Sequence, residues 1–201
     1  MADYLGRFAS PLCSKPLRSW LLTGFFRECL TRLFYSAENI EEPDLRTLLW
    51  TPGTDTKILI EADTLWAPQL TQLRPGVIIK RNGYKNMRMA IGDLMQGPDT
   101  QGDYHHETFW VGSHTLFAIG GSGMQAELLG SEVQRYFTEF ALYLAKDVGL
   151  TRLQVTELDA PAKLEESNEN WVVPVTVGYT FSEAWKVSLQ APRLKAVVIS
   201  S

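Results

Sequence analysis

Histidine and cysteine are scarce in this chain, with three and two copies among 201 residues, and that scarcity restricts the chemistry. His105, His106 and His114 are the only histidines. Neighbours on a strand point to opposite faces, so His105 and His106 cannot serve one ion. His106 and His114 fall on one face with Asp103 and Glu107 near in sequence, but no HExxH or Cys/His spacing accompanies them, and no metal site is expected. Ser113-His114 is no catalytic pair, because adjacent strand residues diverge, and no GxSxG elbow is present. Cys13 and Cys29 lack a CxxC partner; against a structural disulfide, two free thiols in a reducing cytoplasm are expected, and each is read as a buried thiol rather than a nucleophile.

Long apolar runs are missing too. WLL, GFF, GVII and WVVPV fall far short of the roughly 20 residues that span a bilayer. The opening MADYLGRFASPLCSKP lacks the basic-then-apolar order of a secretory signal. There is no excess of positive charge: the net is −4, so the chain as a whole is not built to coat nucleic acid. Internal repeats and low-complexity tracts are absent.

What is present is an ordinary globular composition, 45% hydrophobic and 21% charged, long enough to bury a sizeable core. The charge is arranged in blocks. Residues 1–36 carry five basic and two acidic side chains, residues 37–63 two basic and seven acidic, and residues 74–91 five basic and none acidic. Such alternation suits a protein that meets charged neighbours on several faces, and it also suits a plain mixed surface.

Periodicity sets the elements. Leu17, Leu21, Phe25 or Phe26, Cys29 or Leu30, and Leu33 recur at helical spacing behind Ser14 and Pro16, predicting an amphipathic helix over about residues 15–36. A basic amphipathic helix can also lie on a membrane surface, but the wide apolar side here favours docking on a core or a subunit. Residues 37–55 are acidic and proline-punctuated, a connection. KILIEA reads as a short strand, and two extended runs flank Asn82-Gly83, the strongest two-residue hairpin signal. Residues 92–104 are glycine-rich and polar, a loop. HETFWVGSHTLFAI reads as a strand, and residues 124–148 as one long helix with Leu129, Val133, Tyr136 or Phe137, Phe140, Leu144 and Val148 on its stripe, stopped by Gly149. LTRLQVTEL and WVVPVTVGYTF close the order as antiparallel neighbours. In the latter, Trp171, Val173, Val175, Val177, Tyr179 and Phe181 alternate and predict one buried face. Pro174 lies on the other face and lacks a donor, which favours an edge or a position beside a bulge. The fold class expected is α+β: a mostly antiparallel sheet packed by one long helix, plus the N-terminal amphipathic helix. Residues 1–55 read as an arm and connection, residues 56–201 as the main domain.

Two features compete for function. Gly121-Ser-Gly123-Met-Gln-Ala126 matches the permissive dinucleotide fingerprint, yet that pattern needs a parallel βαβ unit and an acidic residue about 20 positions on. The glycines are therefore read as a strand-to-helix turn, with no cofactor expected. The basic ribbon of Lys80, Arg81, Lys85 and Arg88 suits phosphates or an acidic neighbour; it equally suits a solvated hairpin whose lysines protect an edge. Glu165 and Glu166 offer a complement on a sister copy, or form a simple solvated turn.

The element order, together with RPGVIIKRNG, GSHTLFAIGG, AELLGSEVQRYFTEF and KLEES before NWVVPVTVGYTF, resembles the tail terminator proteins of long-tailed bacteriophages over roughly residues 70–190. The resemblance implies a non-enzymatic structural protein of the virion, assembled in the host cytoplasm. It implies a ring, typically a hexamer, that stops tail-tube growth and joins the tail to the head–neck connector while DNA passes through the lumen. The partners implied are sister copies, tube, connector and possibly sheath. Trp171 and Pro174, with Glu165 and Glu166, are the residues expected between subunits. The first 55 or so residues exceed what compact members of that family need, so the role within the neck stays open between terminator, connector and head-completion protein. A small nucleotide-binding enzyme using Gly120 to Gly123 is the alternative of another class.

Overall fold

In the computed structural model, residues 19–53, 56–65, 67, 75–87, 94–96, 104–164 and 170–187 are described. Helix α1 covers Ser19–Leu33, followed by two 3₁₀ turns, Ala37–Asn39 and Pro43–Leu45. Strand β1 is Leu59–Ala62, with a third such turn at Asp63–Leu65. Then come β2 (Gly76–Arg81), β3 (Lys85–Met87), β4 (Leu94–Gln96) and β5 (Tyr104–Gly120). Helices α2 (Gly123–Glu139) and α3 (Ala141–Val148) precede β6 (Arg152–Leu158), β7 (Ala162–Lys163) and β8 (Trp171–Val187). The protein is α+β: one eight-stranded sheet in the order β1-β2-β5-β8-β6, with β3 and β4 also on β5 and β7 on β8. All its pairings are antiparallel except β1 with β2.

The helices cover one face of the sheet. Val173, Val175, Val177, Tyr179 and Phe181 of β8 are buried there as their alternation predicts, against Leu129, Val133 and Phe137 of α2 and Leu22, Phe26, Leu30 and Leu33 of α1. The stripe of α1 is therefore centred on Leu22 and Phe26, while Leu21 faces water. The first turns of the helix expected from residue 15, with Ser14, Pro16 and Leu17, lie outside the described residues. Among the described residues, the opposite sheet face carries a small apolar cluster, Leu59, Ile78, Ile119 and Val172 with Phe117 and Leu164, to which no described helix contributes.

Three expectations are corrected. The loop expected over residues 92–104 contains β4, which pairs with β5; α1, Phe34, Ile40 and Leu45 share one core with the sheet. The single helix over 124–148 is two, broken at Phe140 (φ −94°, ψ 3°). Thr138 Oγ1 donates to the Gln134 carbonyl just before the break, a back-bond that bends helices. Phe140 leaves the stripe and is exposed. The stop at Gly149 stands: its φ is 72° and the Leu150 amide closes back on the Ala145 carbonyl.

The third correction concerns Asn82-Gly83, which is no hairpin. Neither residue has a positive φ, so the backbone cannot make the primed turn that pairs two strands. Instead β2 and β3 both pair with β5, their registers offset by one residue: Arg81 faces His114 and Lys85 faces Val111. Asn82 bridges the irregularity, its amide nitrogen donating to Ser113 Oγ and Thr115 Oγ1.

Helix α2 comes close to the sheet at Gly130, where an added Cβ would lie 2.7 Å from Val173 Cγ1. Gly130→Ala gains about 1 kcal/mol of helix propensity but meets a fixed strand side chain, and overpacking costs about 1–3 kcal/mol. The expected result is net destabilisation, read as a lower urea midpoint. A rise in midpoint would show that the helix can move off the sheet.

Candidate functional site

The glycine turn before α2 is satisfied by its own side chains. Ser122 is the N-cap, its Oγ accepting from the Gln125 amide, and Gln125 Oε1 accepts from the Gly121 amide, a close variant of the capping box. Gly120 is needed for close approach, since a Cβ there would lie 2.8 Å from the Ala126 nitrogen. The strand entering the turn, β5, is flanked by β2 and β8, both antiparallel to it, so the parallel pair of a dinucleotide fold is not formed at this turn.

His114 is fully buried beneath α1. Its Nε2 lies 3.0 Å from Thr23 Oγ1 and its Nδ1 2.9 Å from the Tyr179 hydroxyl. A hydroxyl can donate or accept, so a neutral imidazole is satisfied in either tautomer. Burial, and secondarily the Arg81 charge, lowers its pKa to about 4. The Tyr179 hydroxyl is pushed up, chiefly by burial. Phe26 packs on the imidazole with centroids 4.7 Å apart. His106 lies eight residues away on the same continuous strand, about 26 Å at the usual rise, so the two cannot share an ion. Among the described residues, no group of three or more histidine, cysteine or carboxylate side chains is placed to hold a metal. Cys29 is a free, buried thiol, pushed up to about 12 by burial.

The basic ribbon is divided between faces. The one-residue offset at Asn82-Gly83 flips the alternation, so Lys80 pairs across from Thr115 and Lys85 from Val111 on the face without helices. Lys80 Nζ sits 6.0 Å from the Phe117 ring centroid on that face. Arg81 turns to the helix side, its guanidinium 5.8 Å from the Tyr84 ring centroid. Arg88, Glu165 and Glu166 lie outside the described residues. Trp171 is half-buried, with Lys163 Nζ 5.9 Å from its ring centroid. Pro174 is on an interior strand, not an edge. Its carbonyl accepts from Asp159, so its missing N–H faces the gap between β6 and β7, where no ladder bond is lost.

Two constellations escaped the sequence reading. The first is a clamp around Glu132, a buried carboxylate that accepts from the amides of Glu41 (3.2 Å) and Glu42 (3.3 Å) and pairs with Arg135. Arg135 also pairs with Glu41 and Glu139. The Glu-x-x-Arg spacing was a visible signal for the local pair only. The second is a cleft of about 500 Å³ between α1, the Asp63–Leu65 turn and β2, lined by Trp20, Thr23, Gly24, Arg27, Asp63 and Arg81 among others. Arg27 pairs there with Glu61 at 3.4 Å. Trp20, 64% exposed, also borders an apolar groove with Leu21, Phe25 and Val148. A cleft with two guanidinium groups and an indole at its mouth can receive carboxylates or other anions beside an apolar surface.

No protein-family model matches the chain, and no curated protein matches it.

Proposed function

We propose that this chain is a structural protein of the virion, a ring-forming tail terminator of a long-tailed bacteriophage that caps the tail tube and joins it to the head–neck connector without catalysis. The observation that supports this reading is the β5–β8 pair. It runs through seventeen register pairs, and Phe181 is the last buried core residue of β8 among those whose side chains are described. Six further residues carry β8 to Val187, a ribbon of about 20 Å on which β4 also pairs with β5. A long two-stranded ribbon of this kind suits contact with a neighbour. The face without helices, with Lys80 and Lys85, suits passing DNA phosphates without base recognition.

The identical subunits of a ring use two different surfaces, and rotation closes the circle. Light scattering of the purified chain, alone and mixed with tube protein, tests the reading. A closed oligomer that binds tube is the expected outcome. A strict monomer that never associates with tube or connector removes it, and binding to connector alone reassigns the chain to another neck component.

A further inference from the structure

The structure places a cleft lined by two arginines and an acidic segment at opposite ends of the same helix. The cleft takes its Trp20, Thr23, Gly24 and Arg27 from the first half of α1. The acidic segment, Ala37–Leu45, follows the other end and contains Glu38, Glu41, Glu42 and Asp44 with no basic residue. Helix α1 has 15 residues, about 22 Å at 1.5 Å per residue. Two unlike, complementary surfaces displaced along one element permit a head-to-tail contact that repeats around a ring, whereas a two-fold dimer would make the same contact twice, reciprocally.

We propose that the cleft of one copy receives the Glu38–Asp44 segment of the next, so that this pairing is the subunit contact of the ring; the inference rests on the self-assembly reading above. Arg81 is exposed, and among the described residues it has no carboxylate within ion-pair distance. Its guanidinium lies over the Tyr84 ring, 5.8 Å from the centroid. Arg27 makes a long pair with Glu61, and Asp63 also lines the cleft without forming an ion pair with Arg81, so the Arg81 guanidinium is the group open to an incoming carboxylate. On the acidic side, Glu38, Pro43 and Asp44 are exposed, Glu41 is engaged by Arg135, and Glu42 turns back to the Asp44 amide. Asp44 is the carboxylate offered to Arg81, with Pro43 beside it to pack on Trp20. The Glu132 clamp holds this segment in a fixed shape before contact, which lowers the ordering cost of association. Backbone pairing at β6 is a poorer route, because the extra residue Thr156 puts a bulge in that strand and bulges blunt edges.

A charge exchange tests the contact in the full-length protein. Arg81→Glu and Asp44→Arg, each on an exposed side chain, should each weaken self-association at least tenfold by sedimentation while leaving the thermal midpoint near that of wild type. The double variant should recover association, and raising salt should weaken the wild type. Trp20→Ala should also weaken it. An assembled wild type whose mass is unchanged by either single exchange, or whose double variant fails to recover, overturns this contact and leaves the ring reading intact. A wild type that stays monomeric overturns both.

Discussion

Lowering the pH from 6.5 to 5 should cost the folded protein about 2 kcal/mol through His114 alone. Its folded pKa is about 4 against a reference of 6.5. A histidine depressed in this way is neutral in both states about a unit or more above pH 6.5, so its stabilising contribution is whole there. As the pH falls from 6.5 towards 4, the unfolded chain takes up a proton that the folded chain refuses, and stability drops by about 1.36 kcal/mol per pH unit. Below pH 4 both states are protonated, and the total loss levels off near 3 kcal/mol. The cause is the site: a fully buried imidazole under Phe26, with the Arg81 charge opposing a second cation. Urea midpoints at pH 7 and pH 5 check this. The drop should shrink by most of that amount in His114→Gln, which can still meet the Thr23 and Tyr179 hydroxyls but does not titrate. An equal drop in both proteins would show that His114 is not the sensor. Carboxylates that titrate in the same range act alike in both proteins and cancel in the comparison.

Removing the Glu132 carboxylate should be strongly destabilising at neutral pH. Glu132→Ala leaves the Glu41 and Glu42 amides without their acceptor and deprives Arg135 of its most buried partner. Breaking a buried, hydrogen-bonded ion pair from one side costs about 3–5 kcal/mol. Arg135 keeps Glu41 and Glu139 and is partly solvated, which places the expected loss at the lower end. Glu132→Gln should cost less, because one carbonyl oxygen still accepts an amide. The effect should be local as well as global. Hydrogen exchange should speed up most at residues 40–45, whose turn rests on this carboxylate, and little in the centre of β8. Uniform acceleration across the sheet would mean that the clamp does not specifically hold the connection.

How much of this could be read from residues alone varies by element. The alternation from Trp171 to Phe181 identified β8 and its buried face, because side chains on a strand repeat every two residues whatever the partner. Gly149 marked a helix end for an equally local reason, since its left-handed conformation strains other residues. The face of α1 was legible only to within a residue. The doublets Leu21-Leu22 and Phe25-Phe26 satisfy two stripes about 100° apart, and only the sheet beneath selects one. Of the candidate site, the basic residues at 80, 81 and 85 were found, but not the faces they occupy, because the offset at Asn82-Gly83 is decided by β5.

Sequence by itself determined the α+β class, most strand positions, the glycine turn into α2 and the glycine exit from α3. Each depends on contacts within a few residues or on a short period. Tertiary structure alone decided that Asn82-Gly83 joins two segments along one neighbour instead of turning a hairpin, that Glu132 holds a turn 91 positions earlier, and that Trp20, Arg27 and Arg81 share a cleft. These outcomes depend on which distant surfaces meet, and the free energy of such meetings is set by packing and desolvation across the chain, not by the preferences of the residues themselves.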